Sequence, residues 1–262
     1  MTWIEALILG IIQGLTEFLP VSSSGHLEIG KALLNVEVKE DLSFTVMVHF
    51  ATVLSTITVF FKEIKHLMAE FFQFRWNDST RYIVKILISM IPVMALGLFF
   101  SEEVESLFGG NLVIVGAALL VTATLLAFAY LFKSEGRKKI PFSDAFIIGI
   151  AQAIAVIPGI SRSGATISTG LLLKNKREDV ARFSFLMVLL PIIGAAILDM
   201  LSWSNASVAA TVPLTSLIIG FVAAYVSGYL ACSWMISIVK KGKLIWFAVY
   251  CAVIGSISII LS

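Results

Sequence analysis

The chain has 262 residues, 58% of them hydrophobic and only 14% charged, with a formal net charge of +2. A soluble domain carries roughly a quarter charged residues, and a nucleic-acid binder needs a basic face, so this composition argues against both. Several apolar runs reach the ~20 residues that cross a bilayer as a helix, and the expected fold class is an all-α polytopic membrane protein.

The N-terminus, Met1 to Glu5, lacks the basic region of a cleaved signal. The first apolar stretch, Ala6 to Leu19, is short for a span and ends at Pro20, which predicts a re-entrant, broken helix over Trp3–Leu34. Three full spans are expected next, over Leu42–Phe61, Tyr82–Phe100 and Leu112–Phe132. A second broken segment, Asp144–Leu173, precedes three more, over Phe183–Leu201, Leu214–Val239 and Leu244–Leu261. Cys232 and Cys251 lie inside these apolar runs without a CxxC or Cys/His cluster and read as small apolar residues.

The two broken segments resemble each other. An offset of about 139 residues sets EALILGIIQGLTEFLPVSSSGHLEIGKALL over DAFIIGIAQAIAVIPGISRSGATISTGLLL. Ala6, Ile8, Gly10, Ile11, Gln13, Ser22, Ser24, Gly25, Leu33 and Leu34 then meet identical residues. Each half, 1–139 and 140–262, holds one broken segment followed by three spans, and the two form one structural unit. An odd number of spans inverts the second half, which predicts an inverted-topology repeat with facing re-entrant helices. Lys62, Lys65, Arg75 and Arg81, then Lys133–Lys139, Lys174–Arg177 and Lys240–Lys243, all fall on one side of such an arrangement. The positive-inside rule makes that side cytoplasmic, with both termini outside.

Charge is costly at the bilayer centre, at about 2.5–3.5 kcal/mol even on insertion scales. Yet the first break carries Gln13, Glu17, Ser22, Ser23, Ser24 and His26, and the second Ser161, Arg162, Ser163 and Thr166. Gln13 and Glu17 are four apart and share a helical face. SSSGH and SRSG each offer hydroxyls and backbone N–H groups at the start of a short helix, a setting that favours phosphate. Arg162 adds a guanidinium that grips phosphate oxygens bidentately. A carboxylate beside such a cradle is a natural ligand for Mg²⁺ or Ca²⁺. A histidine there can shuttle protons or attack phosphorus. Bland readings stand beside these: serines cap backbone, Glu17 can pair with Arg162 for structure alone, and His49 can bond a neighbouring helix. Lys31 and Glu28 read as helix-face residues near the outer interface.

GLTEFLPVSSSGH (Gly14–His26) and PGISRSGAT (Pro158–Thr166) resemble the two signature motifs of the bacterial undecaprenyl-diphosphatase family of the bacitracin-resistance type. The similarity extends over the whole chain, including FSFLMVLLPIIGA (Phe183–Ala195). It implies hydrolysis of undecaprenyl diphosphate to the monophosphate, which recycles the lipid carrier of peptidoglycan synthesis and confers bacitracin resistance. It implies a divalent cation, Mg²⁺ or Ca²⁺, and a plasma-membrane (inner-membrane) location with the active site facing outward. Glu17 falls on the family's catalytic and metal-binding carboxylate. Gln13 falls on a position that is Glu or Gln in the family, and as Gln it removes one negative charge. Ser23 and His26 fall on the family's proposed catalytic Ser and His. Arg162, with Ser161, Ser163 and Thr166, falls on its phosphate-binding motif, and Ser22 and Ser24 belong to the same substrate cradle.

The expected partners are a prenyl diphosphate lipid and the surrounding membrane lipids; no nucleic acid is expected, and the reading admits a homodimer. The nucleophile is Ser23, with His26 as its base, or His26 itself, or a metal-bound water. A different class of function fits the same architecture, since facing broken helices also build transporters. A lipid-phosphate transporter or flippase would use the same cleft. A purely structural scaffold leaves intramembrane Glu17 and Arg162 unexplained.

Overall fold

A computed structural model describes residues 1–36, 41–100, 103, 111–131, 139–194 and 212–260, with the backbone alone for 41–43. Among the described residues the regular structure is entirely helical. α1 spans Trp3–Phe18 and opens on a capping box, in which Thr2 accepts from the Glu5 N–H and the Glu5 carboxylate returns the bond to Thr2 N. It stops because Pro20 forces the preceding residue out of the helical region; Leu19 is extended, at φ −71° and ψ 143°. α2, Ser23–Leu34, then starts from Ser22 and ends at Asn35 in the left-handed conformation. The second broken segment has the same plan, with α7 over Phe142–Ile154, a break at Pro158-Gly159, and α8 over Arg162–Leu172. Gly159 sits at φ +97°, and a Cβ there would also meet the Val115 carbonyl at 2.5 Å, so the turn requires glycine.

Of the spans, those expected over Tyr82–Phe100, Leu112–Phe132 and Leu214–Val239 coincide with α5 (Asp78–Phe99), α6 (Leu112–Leu131) and α10 (Leu214–Lys240). These three are long and apolar enough to cross a membrane. α3 (Asp41–Val59) bends by 76° at Phe60 into α4 (Phe61–Phe71), an amphipathic helix. α11 (Ile245–Ile260) covers the last expected span with 16 residues, short for a straight crossing.

The span expected from Phe183 is interrupted. α9 (Arg177–Met187) ends, the chain turns at Val188, and 189–194 is helical again. Pro191 accounts for this: it has no N–H for the Met187 carbonyl, and its ring would clash with that carbonyl in a continuous helix. Residues 195–201 of that expectation lie outside the described residues, as do the segments that follow the expected spans Tyr82–Phe100 and Phe183–Leu201, 101–110 and 202–213, apart from 103, 212 and 213.

Helix packing relies on small residues. α1 lies against α10, where a Cβ on Gly14 would meet Ser227 Oγ at 2.0 Å and one on Gly10 the Gly220 carbonyl at 2.5 Å. α7 approaches α5 in the same way, Gly149 against the Ser89 carbonyl at 2.3 Å. The outward faces are apolar: Ile91, Met94 and Leu98 on α5, Val222 and Val226 on α10, Val249 and Val253 on α11. Apolar surface exposed on this scale belongs in lipid. Charge gathers at one end instead, where Arg182 meets Glu63, Lys240 meets Glu178, and Lys139 meets Asp78 at 2.6 Å.

Candidate active site

The two breaks meet. Ser163 Oγ of the second donates to the Leu19 carbonyl of the first at 3.2 Å, and Thr122 of α6 pins the second break from behind. Thr122 Oγ1 accepts from Ser161 N at 2.9 Å and donates to the Gly159 carbonyl at 3.3 Å. The N-termini of α2 and α8 consequently open on one cleft of about 460 Å³. Each is capped by a serine: Ser22 Oγ accepts from Gly25 N at 3.3 Å and Ser161 Oγ from Gly164 N at 3.0 Å. The N–H groups of a helix's first turn have no intrahelical partner and carry the positive end of its dipole, so two such ends make an anion cradle.

Glu17 is the hub of this cleft. Its side chain is 5% exposed, and Oε2 accepts from Ser23 Oγ at 2.6 Å and from Gln13 Nε2 at 2.9 Å. Oε1 is ion-paired with Arg162 Nη2 across the interface of the two segments. His49 Nε2 stands 4.0 Å from Oε2 on the remaining side. Taking two charges out of water is expensive unless they are paired and hydrogen-bonded, and Glu17 and Arg162 meet both conditions for each other.

The other expected site residues divide. Ser22, Ser23, Ser24, Ser161, Arg162 and Ser163 all line the cleft with Glu17. Thr166 does not: its hydroxyl donates to the Arg162 carbonyl at 2.8 Å and pairs with Ser184 Oγ at 2.6 Å, so it braces the turn that carries the guanidinium. Gln13 is fully buried behind Glu17 and also stands outside the lining. His26 faces away from the cleft. Its Nδ1 bonds the Ser22 carbonyl at 2.8 Å and its Nε2 the Tyr250 hydroxyl at 2.9 Å, with the two rings stacked at 5.5 Å. That placement does not put His26 against Ser23, the contact expected of its base; the Ser23 hydroxyl donates to Glu17 instead.

The cleft also takes in three residues that sequence alone does not assign to a site, His49, Glu28 and Lys31. His49 is a polar residue inside an apolar span, which is itself a signal of function. Glu28 and Lys31, paired at 3.1 Å, share the cleft with Ser24 and Leu27. Those four stand at i, i+3, i+4 and i+7 on α2, so the periodicity already placed them on one face.

A metal ion finds few protein ligands here. Among the described residues no group of three or more His, Cys, Asp or Glu is placed to hold one. The oxygen donors clustered at Glu17 are its own carboxylate, the Ser23 hydroxyl and Gln13 Oε1, which is buried without a hydrogen-bond partner among the described residues, while Glu28, also in the lining, is paired with Lys31. A hard cation that takes one or two protein oxygens and completes its shell from phosphate and water fits this set; a closed protein cage does not.

Fold and site together define a multi-pass helical membrane protein with a cleft between two broken helices that brings a carboxylate, a guanidinium and serine hydroxyls to two helix N-termini. The sequence matches the family described as bacitracin resistance protein BacA over residues 6–257, and the chain belongs to that family. It is 57% identical over 263 residues to an undecaprenyl-diphosphatase of Bacteroides fragilis, covering 100% of this chain and 99% of that one. It is 56% identical to the protein of that name from Parabacteroides distasonis over 99% of this chain and 98% of that one, and 40% identical to that of Salinibacter ruber over 99% of each.

Proposed function

We propose that this chain hydrolyses undecaprenyl diphosphate to undecaprenyl phosphate and inorganic phosphate, recycling a lipid carrier for cell-wall synthesis and thereby conferring bacitracin resistance. The observation that carries the reading is the Glu17 carboxylate, which holds the Ser23 hydroxyl and the Arg162 guanidinium at once beneath two helix N-termini. The lipid tail lies against the apolar outer faces and the diphosphate enters the cleft. Arg162 exchanges Glu17 for phosphate oxygens, and Ser161 and Ser163 flank it. Glu17, released from its ion pair, takes the Ser23 proton as Ser23 Oγ attacks the terminal phosphorus. The P–O bond to the bridging oxygen breaks, undecaprenyl phosphate leaves, and water then cleaves the phosphoserine. Positioning and charge neutralisation supply most of the rate gain in such chemistry. Glu17 and Gln13 would hold a Mg²⁺ or Ca²⁺ ion, which neutralises phosphate charge when bound.

The two halves act as inverted repeats. Supporting this, α1 packs on α10 while its repeat-mate α7 packs on α5, and α6 packs on α11. Gly116 and Gly255, one repeat length apart, face each other there; each added Cβ would meet the other's carbonyl, at 2.6 and 2.8 Å. Reciprocal contact between equivalent positions is what a two-fold relation produces. The basic end, with Lys139, Arg182 and Lys240, is cytoplasmic by the positive-inside rule. Lys31 and Thr45, near the opposite ends of α2 and α3, line the cleft, which therefore opens outward.

The test is phosphate release from a long-chain prenyl diphosphate by purified protein in detergent. Release that disappears in Arg162→Ala supports the reading. No release from folded protein under any divalent cation would sink it in favour of lipid-phosphate transport.

A further inference from the structure

Gln152 sits on α7, one turn before the second break, and lines the same cleft as Glu17 and Arg162. It is 2% exposed, and neither its Nε2 nor its Oε1 has a hydrogen-bond partner among the described residues. A primary amide offers two donors and two acceptor lone pairs, and burying it with none of them used is costly. Such a group is explained by a ligand or an ordered water that completes it.

The repeat sharpens the point. Gln152 is the equivalent of Gln13, whose Nε2 donates to Glu17 one helical turn on. One turn on from Gln152 the corresponding residue is Val156, so the second repeat has kept the amide and not the carboxylate that occupies it. The surroundings offer no substitute, since the neighbouring lining residues Ala155, Val156 and Ile160 present only apolar side chains. Within its polar half the cleft holds Arg162 and the two serine-capped helix ends, which call for an anion, and its two carboxylates, Glu17 and Glu28, are paired with Arg162 and Lys31.

Resting on the diphosphatase reading above, we infer that Gln152 is a further substrate-contacting residue, whose amide N–H groups donate to oxygens of the bound diphosphate headgroup and whose Oε1 accepts from a water in its shell. The substrate thereby completes a side chain that the protein leaves unsatisfied.

Gln152→Leu separates this from a relic of duplication. Removing an unsatisfied amide from an apolar wall should leave thermal stability equal or higher, because nothing is orphaned by the change. If the amide binds the headgroup, KM for a prenyl diphosphate should rise at least about tenfold, and inorganic phosphate should inhibit at correspondingly higher concentration. Gln152→Met, unbranched and similar in length, guards against a packing defect in the Leu variant and should show the same two shifts. Wild-type KM and phosphate inhibition in both variants would overturn the inference. So would losses that track a fall in melting temperature. Arg162→Ala runs alongside: if it too keeps full activity, the site itself is misplaced, a failure distinct from that of Gln152 alone.

Discussion

Arg162 crosses from the second broken segment to the Glu17 carboxylate in the first, so the ion pair is both the seam between the two halves and the centre of the cleft. A guanidinium held by a carboxylate is already in the geometry that binds phosphate, since both anions present paired oxygens to its fork. Arg162→Ala should lower kcat by about 10³-fold or more, the scale found for arginines on transferring phosphoryl groups. Arg162→Lys keeps the charge but loses the fork and should recover only a minor part. Steady-state phosphate release measures both, and a wild-type rate in either variant removes Arg162 from the chemistry.

His26 yields a contrasting expectation. Both ring nitrogens are engaged, one by the Ser22 carbonyl and one by Tyr250, and neither faces Ser23. The ring therefore fixes the first turn of α2 against α11. Tyr250→Phe removes one of its bonds without touching the cleft and should cost about 1 kcal/mol of stability, with kcat changed by less than about threefold. His26→Gln should likewise leave the majority of kcat, while Ser23→Ala should abolish it. A loss in His26→Gln equal to that in Ser23→Ala would restore histidine as the base.

How much of this was legible in the sequence depends on which force placed each residue. Serines, Glu17 and Arg162 in apolar runs were conspicuous because a bilayer penalises them, and Pro20 and Pro158 marked both breaks through backbone sterics alone. Helix rotation was harder to read. His26 lies between Ser24 and Glu28, two residues from each, and so points away from the stripe that those two share with Leu27 and Lys31. Proximity in the motif concealed that. The motif alone makes Thr166 a phosphate ligand, yet its partner Ser184 is set by tertiary packing that no local pattern encodes. The interruption at Val188 was readable from Pro191, but the hydropathy of the surrounding residues outweighed it.

Close approach of α1 and α10 makes a stability prediction. Gly14 faces Ser227 Oγ and the backbone at Gly228, with no room for a side chain. Gly14→Leu must separate the two helices or expel the side chain, and overpacking of this kind costs about 1–3 kcal/mol or more. Because Glu17 lies one turn further along α1, the displacement should also reduce activity. Gly97, with nothing within 4 Å of its missing side chain among the described residues, is the control: Gly97→Ala should leave both properties unchanged, or slightly raise helix stability. Detergent-solubilised melting curves compare the two.

Removal of divalent cations tests the donor set at Glu17. Glu28, the other carboxylate in the lining, is paired with Lys31, and among the described residues no further His, Cys, Asp or Glu completes a metal-holding group with Glu17, so a cation should be held chiefly by substrate oxygens, with an affinity that is weak alone and rises when a phosphate is present. EDTA should then lower kcat/KM by at least about tenfold, and Mg²⁺ or Ca²⁺ should restore it. Glu17→Gln should need far more cation for half-maximal rate and also lose the acceptor for Ser23. Gln13→Ala should shift the cation requirement modestly and leave the saturated rate nearly intact, because Gln13 offers only one neutral oxygen from behind Glu17. Full turnover in EDTA would show that Arg162 and the two helix ends neutralise the diphosphate without a metal.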